Sequence, residues 1–278
     1  MFQATILFLY ISAGKAFAAS RLPRLSDSAS MLVMLAFLLA TTGVIWHSFV
    51  LVAVILFQGG LSLTLGNAAS LIGLQLALIA ILGAFEPTLR GLAGGLLILG
   101  AVAAVFTGAL YIGSPDVILG VPESTAAALP WQLKAHVLIS MFAYGLLTAG
   151  AIVAIYALIQ DSRLRAGRLT AVNNLFAPLE TNERLLYGIA ASGFAFLVLG
   201  VLSGLTFVDN FFAQHLVHKS ALSIIALILF GVLLTGRHFA GWRGRRAVYL
   251  YLWGFLVLGL AYFGSRIVLE NVLGRTWG

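Results

Sequence analysis

The chain has 278 residues, 61% of them hydrophobic and 9% charged, with a formal net charge of +7 and no cysteine. Its mean hydropathy of +1.05 excludes a soluble globular domain and points to a helical membrane protein. The missing cysteines exclude disulfides, cysteine-ligated zinc and iron–sulfur clusters; the positive charge sits in short connections, where it orients a membrane protein rather than binding nucleic acid.

Long apolar runs recur along the whole chain. They predict an all-α, polytopic bundle of about eight transmembrane helices, forming a single integral membrane domain over residues 1–278. The first run, 4–19, has no basic segment ahead of it and is expected to be a retained span rather than a cleaved signal peptide. The second, 30–47, starts soon after the capping residues Ser26, Asp27 and Ser28.

Another apolar stretch, 48–65, adjoins it directly. A span centred on His47 would place it at mid-membrane; one centred on Thr42 places it at the outer end of the second span, the preferred reading, with 49–57 forming a short interfacial or re-entrant helix. The third span is 66–85, where Asn67 and Gln75 are expected to hydrogen-bond between helices. The fourth is 92–112, and its glycines between Gly91 and Gly100 permit close helix packing. The remaining spans are 133–160, 185–208, 216–235 and 248–266.

The connections set the orientation. Arg21, Arg24, Arg90, Arg163, Arg165, Arg168, Arg184, Arg237, Arg243, Arg245 and Arg246 fall on one side, and only Lys134, Lys219, Arg266 and Arg275 on the other. The excess of basic residues marks the cytoplasmic face and puts both termini on the periplasmic side. Lys15, near the end of the first span, then snorkels toward the cytoplasmic surface.

On this map His47, His136, His215 and His218 cluster at the outer face, and His238 alone is cytoplasmic. His136, Ser140 and Tyr144 recur every four residues and share one face of the fifth helix. Lipid cannot pair with such a stripe, so it faces protein or a cavity. Lys134 stands two residues before His136, Lys219 follows His218, and Arg266 ends the last span at the same level.

Imidazoles beside cations suit non-covalent haem, whose iron takes axial histidines and whose propionates pair with Lys or Arg. Tyr144 and Ser140 could support such a site, and Trp46 and Trp131 supply aromatic walls. His215 and His218, three residues apart, could share a metal. Histidines and cations also anchor helices at membrane interfaces, and position alone leaves these readings open. No zinc-protease, nucleophile-elbow or phosphate-loop pattern is visible. No acid–base or nucleophile constellation suggests an enzyme, and the absence of mid-span carboxylates disfavours a transporter.

Four blocks carry a family resemblance. They are His136-Val-Leu-Ile-Ser140-Met-Phe-Ala-Tyr144; Glu183-Arg-Leu-Leu-Tyr187 leading to Gly193-Phe194 and Gly200-Val-Leu-Ser203-Gly204; Gly241-Trp242-Arg243-Gly244-Arg245-Arg246-Ala247; and Gly254-Phe255 with Ala261-Tyr262-Phe263-Gly264. In this order they resemble the cytochrome c assembly family, membrane haem-handling proteins of the CcsA and CcmC type. The resemblance is strongest over 130–270; before that it rests on helix count and Asn67-Ala-Ala-Ser70.

The haem-delivering members carry a tryptophan-rich outer segment before the penultimate span and a second outer histidine after the last one. The stretch from Phe207 to Lys219 has no tryptophan, and the tail from Arg266 to Gly278 has no histidine. Size and these departures look most like the YpjD- or HemX-like branch.

The resemblance implies a bacterial inner-membrane protein that binds haem b near the outer face and works with another membrane or periplasmic protein. His136 matches a family haem-ligand position. His47, or else His218, would be the second axial ligand, with Lys134, Lys219 and Arg266 pairing with propionates and Tyr144 beside the cofactor. The alternatives are a membrane scaffold or regulator of the same fold that no longer delivers haem, and a small-solute transporter.

Overall fold

The computed structural model describes residues 2–56, 65–106, 130–167, 177–207 and 217–264. Within them lie eight α-helices: α1 (Phe2–Ala19), α2 (Ala29–Leu56), α3 (Leu65–Ala84), α4 (Arg90–Val105), α5 (Trp131–Arg165), α6 (Leu179–Phe207), α7 (Val217–Ala240) and α8 (Arg245–Gly259). Seven helices are long and apolar enough to cross a membrane. The eighth, α8, runs directly into a π-helical turn, Leu260–Gly264. The protein is thus an all-helical, polytopic membrane protein, and no strand occurs among the described residues.

The second span corrects the sequence reading. Residues 29–56 form one helix of 28 residues, and no separate helix begins at Phe49. No proline or glycine lies between Gly43 and Gly59, so nothing in the sequence breaks the run. His47 therefore lies inside the helix, nine residues before its last residue Leu56, and not at its end.

The helices pack as two rings of four. In the first, α1 meets α2 and α4, and α3 meets α2 and α4. In the second, α5 meets α6 and α8, and α7 meets α6 and α8. The rings join chiefly where α3 lies on α5. One apolar core runs through all eight helices, from Ile6, Tyr10 and Phe17 on α1 to Val248, Tyr251 and Leu258 on α8. Large apolar side chains such as Met34, Leu38, Phe49, Leu82, Ile228 and Trp253 stay exposed on the perimeter, as expected where lipid is the solvent.

In the first ring, glycines let backbones touch. A Cβ on Gly14 would meet the Gly94 carbonyl oxygen at 2.7 Å, and one on Gly73 would meet that of Gly100 at 2.8 Å. These crossings of α1 with α4 and α3 with α4 are the small-residue packing that membrane helices favour.

The arginine-rich 241–247 block is a clasp at one end of the second ring. Gly241 and Gly244 adopt φ of +61° and +63°, the left-handed region that glycine enters without a Cβ penalty. The Gly244 N–H donates to Glu183 of α6 at 2.7 Å, and the Tyr187 hydroxyl donates to the Trp242 carbonyl at 2.6 Å. Arg246 lies over the Trp242 ring at 4.2 Å and Arg237 over Tyr187 at 4.7 Å. Arg245 reaches Asp161 on α5 at 2.7 Å. The block ties α5, α6, α7 and α8 together.

Candidate functional site

Each ring holds a histidine in its interior, and the two are built differently. His47 of α2 has no exposed surface, and neither have Tyr10 of α1 and Ser70 of α3. The Tyr10 hydroxyl lies 3.2 Å from His47 Nδ1, and His47 Nε2 lies 2.8 Å from Ser70 Oγ. The tyrosine O–H has no other acceptor among the described residues, so it donates to Nδ1, and Nε2–H donates to Ser70. Both ring nitrogens are used, and the triad ties α1, α2 and α3 together.

His136 stands one turn into α5, at the end of the second ring opposite the clasp. Its ring lines a cavity of about 110 Å³ together with Ser140 and Tyr144 of α5, Gly200 of α6, Lys219, Ser220 and Ser223 of α7, and Leu258 of α8. The stripe read from the sequence does face a cavity. Helix α5 turns that face inward because Ser140 packs against Gly200, where a Cβ would come within 3.2 Å of its hydroxyl.

The cavity walls are held by hydrogen bonds and ring contacts. His136 Nδ1 lies 2.9 Å from Ser203 Oγ on α6. The Tyr144 hydroxyl donates to the Leu258 carbonyl at 3.2 Å, just before the π turn, a helix irregularity that recurs at functional sites. Tyr144 packs on Tyr262 with ring centroids 5.4 Å apart, and Lys219 Nζ sits 5.3 Å from the Tyr262 ring centre. The result is an imidazole, a cation and hydroxyls around one small cavity.

Of the residues singled out in the sequence, His136, Tyr144 and Lys219 come together here. Lys134 is half-buried on α5 and does not line the cavity. His47 does not line it either; it belongs to the first ring. The His218 backbone is in α7, but its side chain lies outside the described residues, as do Arg266 and His215. No cluster of three or more metal-binding side chains occurs among the described residues.

Sequence reading missed the roles of three residues. Ser203 holds His136, and Tyr10 and Ser70 hold His47. Ser203 and Ser70 lie within the family-like stretches of the sequence, yet only packing reveals which histidine each meets. Tyr10 carries no signal in an apolar run, where tyrosine also serves as an interfacial anchor.

These features define a polytopic helical membrane protein with a histidine-lined cavity at one end of its second four-helix ring. The chain belongs to the cytochrome C assembly protein family, whose model matches residues 30–273. That match reaches well into the first ring, beyond the stretch where the sequence motifs are densest. The chain is 33% identical over 242 residues to the inner membrane protein YpjD of Escherichia coli K12, covering 86% of this chain and 88% of that one. It is 26% identical over 142 residues to the cytochrome c biogenesis protein CcsA of Chlamydomonas reinhardtii, covering 50% and 39%. A CcsA from Guillardia theta is 25% identical over 184 residues, covering 57% and 61%. No solved structure matches the chain.

Proposed function

We propose that this protein handles haem b in the inner membrane of a bacterium, with both termini periplasmic and the His136 cavity opening toward that face. Membership of the cytochrome c assembly family and the relatives' names support the haem and inner-membrane parts of this reading. The observation that carries the site is the state of His136. Its Nδ1 is engaged by Ser203, on a ring that lines the cavity.

The donor set fits part of the cofactor. Haem b would supply an iron that takes an imidazole as axial ligand and propionates that take cations. His136 offers the imidazole and Lys219 the cation. Tyr144 and Ser140 close the inner wall. A volume of about 110 Å³ is below the roughly 300–1,000 Å³ that enclose a whole ligand. The cavity would thus grip one part of the macrocycle, a hold suited to cargo that is passed on. Lys134, Arg266 and His218, near the same end in sequence, are proposed to complete it, and a membrane or periplasmic protein to receive the haem.

His47 is the partner ligand favoured by the histidine map. It would reach iron only by giving up its bond to Tyr10 or to Ser70. The absorption spectrum of detergent-purified protein from haem-replete cells tests the proposal. A Soret band in wild type that is lost in His136→Ala is the expected result. Retention of the band in His47→Ala assigns the iron to the second ring alone, and its loss restores His47 as the second ligand. The absence of a band in wild type overturns haem binding. It would favour the scaffold or regulator, a reading that the tryptophan-free outer segment between Phe207 and Lys219 also supports.

A further inference from the structure

We infer that Ser203 is the positioning residue of the cavity: it fixes His136 as the Nδ1–H tautomer and so presents Nε2 as the ligating nitrogen. A serine hydroxyl has one hydrogen to give and two lone pairs to accept with. Ser203 Oγ lies 3.0 Å from the carbonyl oxygen of Gly200, to which it donates, and 2.9 Å from His136 Nδ1. With its only hydrogen committed to Gly200, Ser203 can meet His136 only as an acceptor. Nδ1 must then carry the ring proton, and Nε2 must carry the lone pair.

The reverse arrangement turns the hydroxyl toward Nδ1 and forfeits its bond to Gly200. It satisfies one contact where the first satisfies two. The position of Ser203 three residues after Gly200 on the same helix makes the back-bond local and short-range, so it forms whenever α6 forms. Gly200 also lines the cavity and packs on Ser140. One turn of α6 therefore supplies both the wall of the site and the group that orients its imidazole. The contrast with His47 is direct. There a tyrosine that donates to Nδ1 forces the opposite tautomer, and Ser70 takes the remaining N–H. Two histidines in one chain are set to opposite tautomers by their hydroxyl neighbours, one sealed and one presenting a lone pair.

The consequence for iron rests on the proposed haem role, but the tautomer is a property of the protein without haem. The two are therefore tested separately. Nitrogen-15 spectra of histidine-labelled, haem-free protein in nanodiscs, at mildly alkaline pH, report which ring nitrogen is protonated. His136→Gln identifies the signals. The expected wild-type pattern for residue 136 is a protonated Nδ1 and an unprotonated Nε2. Ser203→Ala is expected to move that pattern toward Nε2–H, the tautomer a free imidazole prefers in water. Ser203→Thr keeps a hydroxyl able to bond the carbonyl one turn back and is expected to restore the wild-type pattern.

An Nε2–H signal in wild type, or an unchanged pattern in Ser203→Ala, overturns the inference. If Ser203→Ala does not fold, Ser203→Gly takes its place as the variant without a hydroxyl, and the wild-type spectrum still decides the tautomer. In a parallel arm haem is titrated into the same proteins. Loss of the orienting group is expected to weaken binding by about 10- to 100-fold, with recovery in Ser203→Thr. If no variant and no wild type binds haem while the nitrogen pattern holds, the haem reading fails and the tautomer assignment stands. Equal haem affinity in wild type and Ser203→Ala overturns the positioning role.

Discussion

Gln75 of α3 donates through Nε2 to the carbonyl oxygen of Met141 in α5 at 3.3 Å, across the seam where the two rings meet. Gly145 makes the seat for this side chain, since a Cβ there would run into the Gln75 amide. Gly145→Ala is expected to push Gln75 out of place and destabilise the protein by about 1–3 kcal/mol, the usual effect of overpacking. Thermal unfolding in detergent measures it, and a midpoint equal to wild type would show that the seam adapts freely.

The crossing of α1 and α4 gives a test of additivity. A Cβ on Gly14 meets the Gly94 carbonyl at 2.7 Å, and one on Gly94 meets the Gly14 carbonyl at 2.6 Å. Each alanine variant is expected to cost about 1–3 kcal/mol. The double variant should cost less than the sum, because the first Cβ already parts the helices for the second. Strict additivity would mean that the two glycines act at separate contacts.

The clasp predicts a contrast between a backbone position and an ion pair. Gly244 combines a φ of 63° with a ψ of −145°, a region close to glycine-only, so Gly244→Ala is expected to destabilise by about 1–3 kcal/mol. Asp161 bridges Arg165 at 3.0 Å and Arg245 at 2.7 Å, but those arginine side chains are 67% and 46% exposed. Solvent-screened pairs contribute roughly 0–1 kcal/mol, so Asp161→Asn should be nearly silent. A larger loss in Asp161→Asn than in Gly244→Ala would reverse the assignment of what holds the clasp.

The sealed triad predicts a stability effect inside the membrane. Tyr10→Phe removes the donor to His47 Nδ1 and leaves a buried acceptor unpaired. The expected loss is about 1–2 kcal/mol, and Ser70→Ala should lose a similar amount. Unfolding midpoints of both variants matching wild type would indicate that His47 repairs its bonds elsewhere.

The number and type of the helices were legible because bilayer thickness and backbone hydrogen bonding leave few options. Residues 131–165 illustrate this: the apolar run set the helix, and the four-residue spacing of His136, Ser140 and Tyr144 set its inward face. The continuous α2 was not legible. An apolar stretch long enough for a span and a half carries no mark of where it ends, and the periodicity of the run is the same either way. His47 was misplaced along the helix axis for that reason.

The sequence by itself determined an all-helical membrane chain, the inward face of α5 and the family that its motifs point to. Those properties follow from composition and from spacing along single helices, which are local. The tertiary structure decided that the helices form two rings and that His47 is locked by Tyr10 and Ser70. It also decided that His136 is held by Ser203 beside Lys219. These depend on which hydroxyl meets which imidazole across 37, 23 and 67 residues of chain, a matter of helix packing that no single-helix pattern encodes.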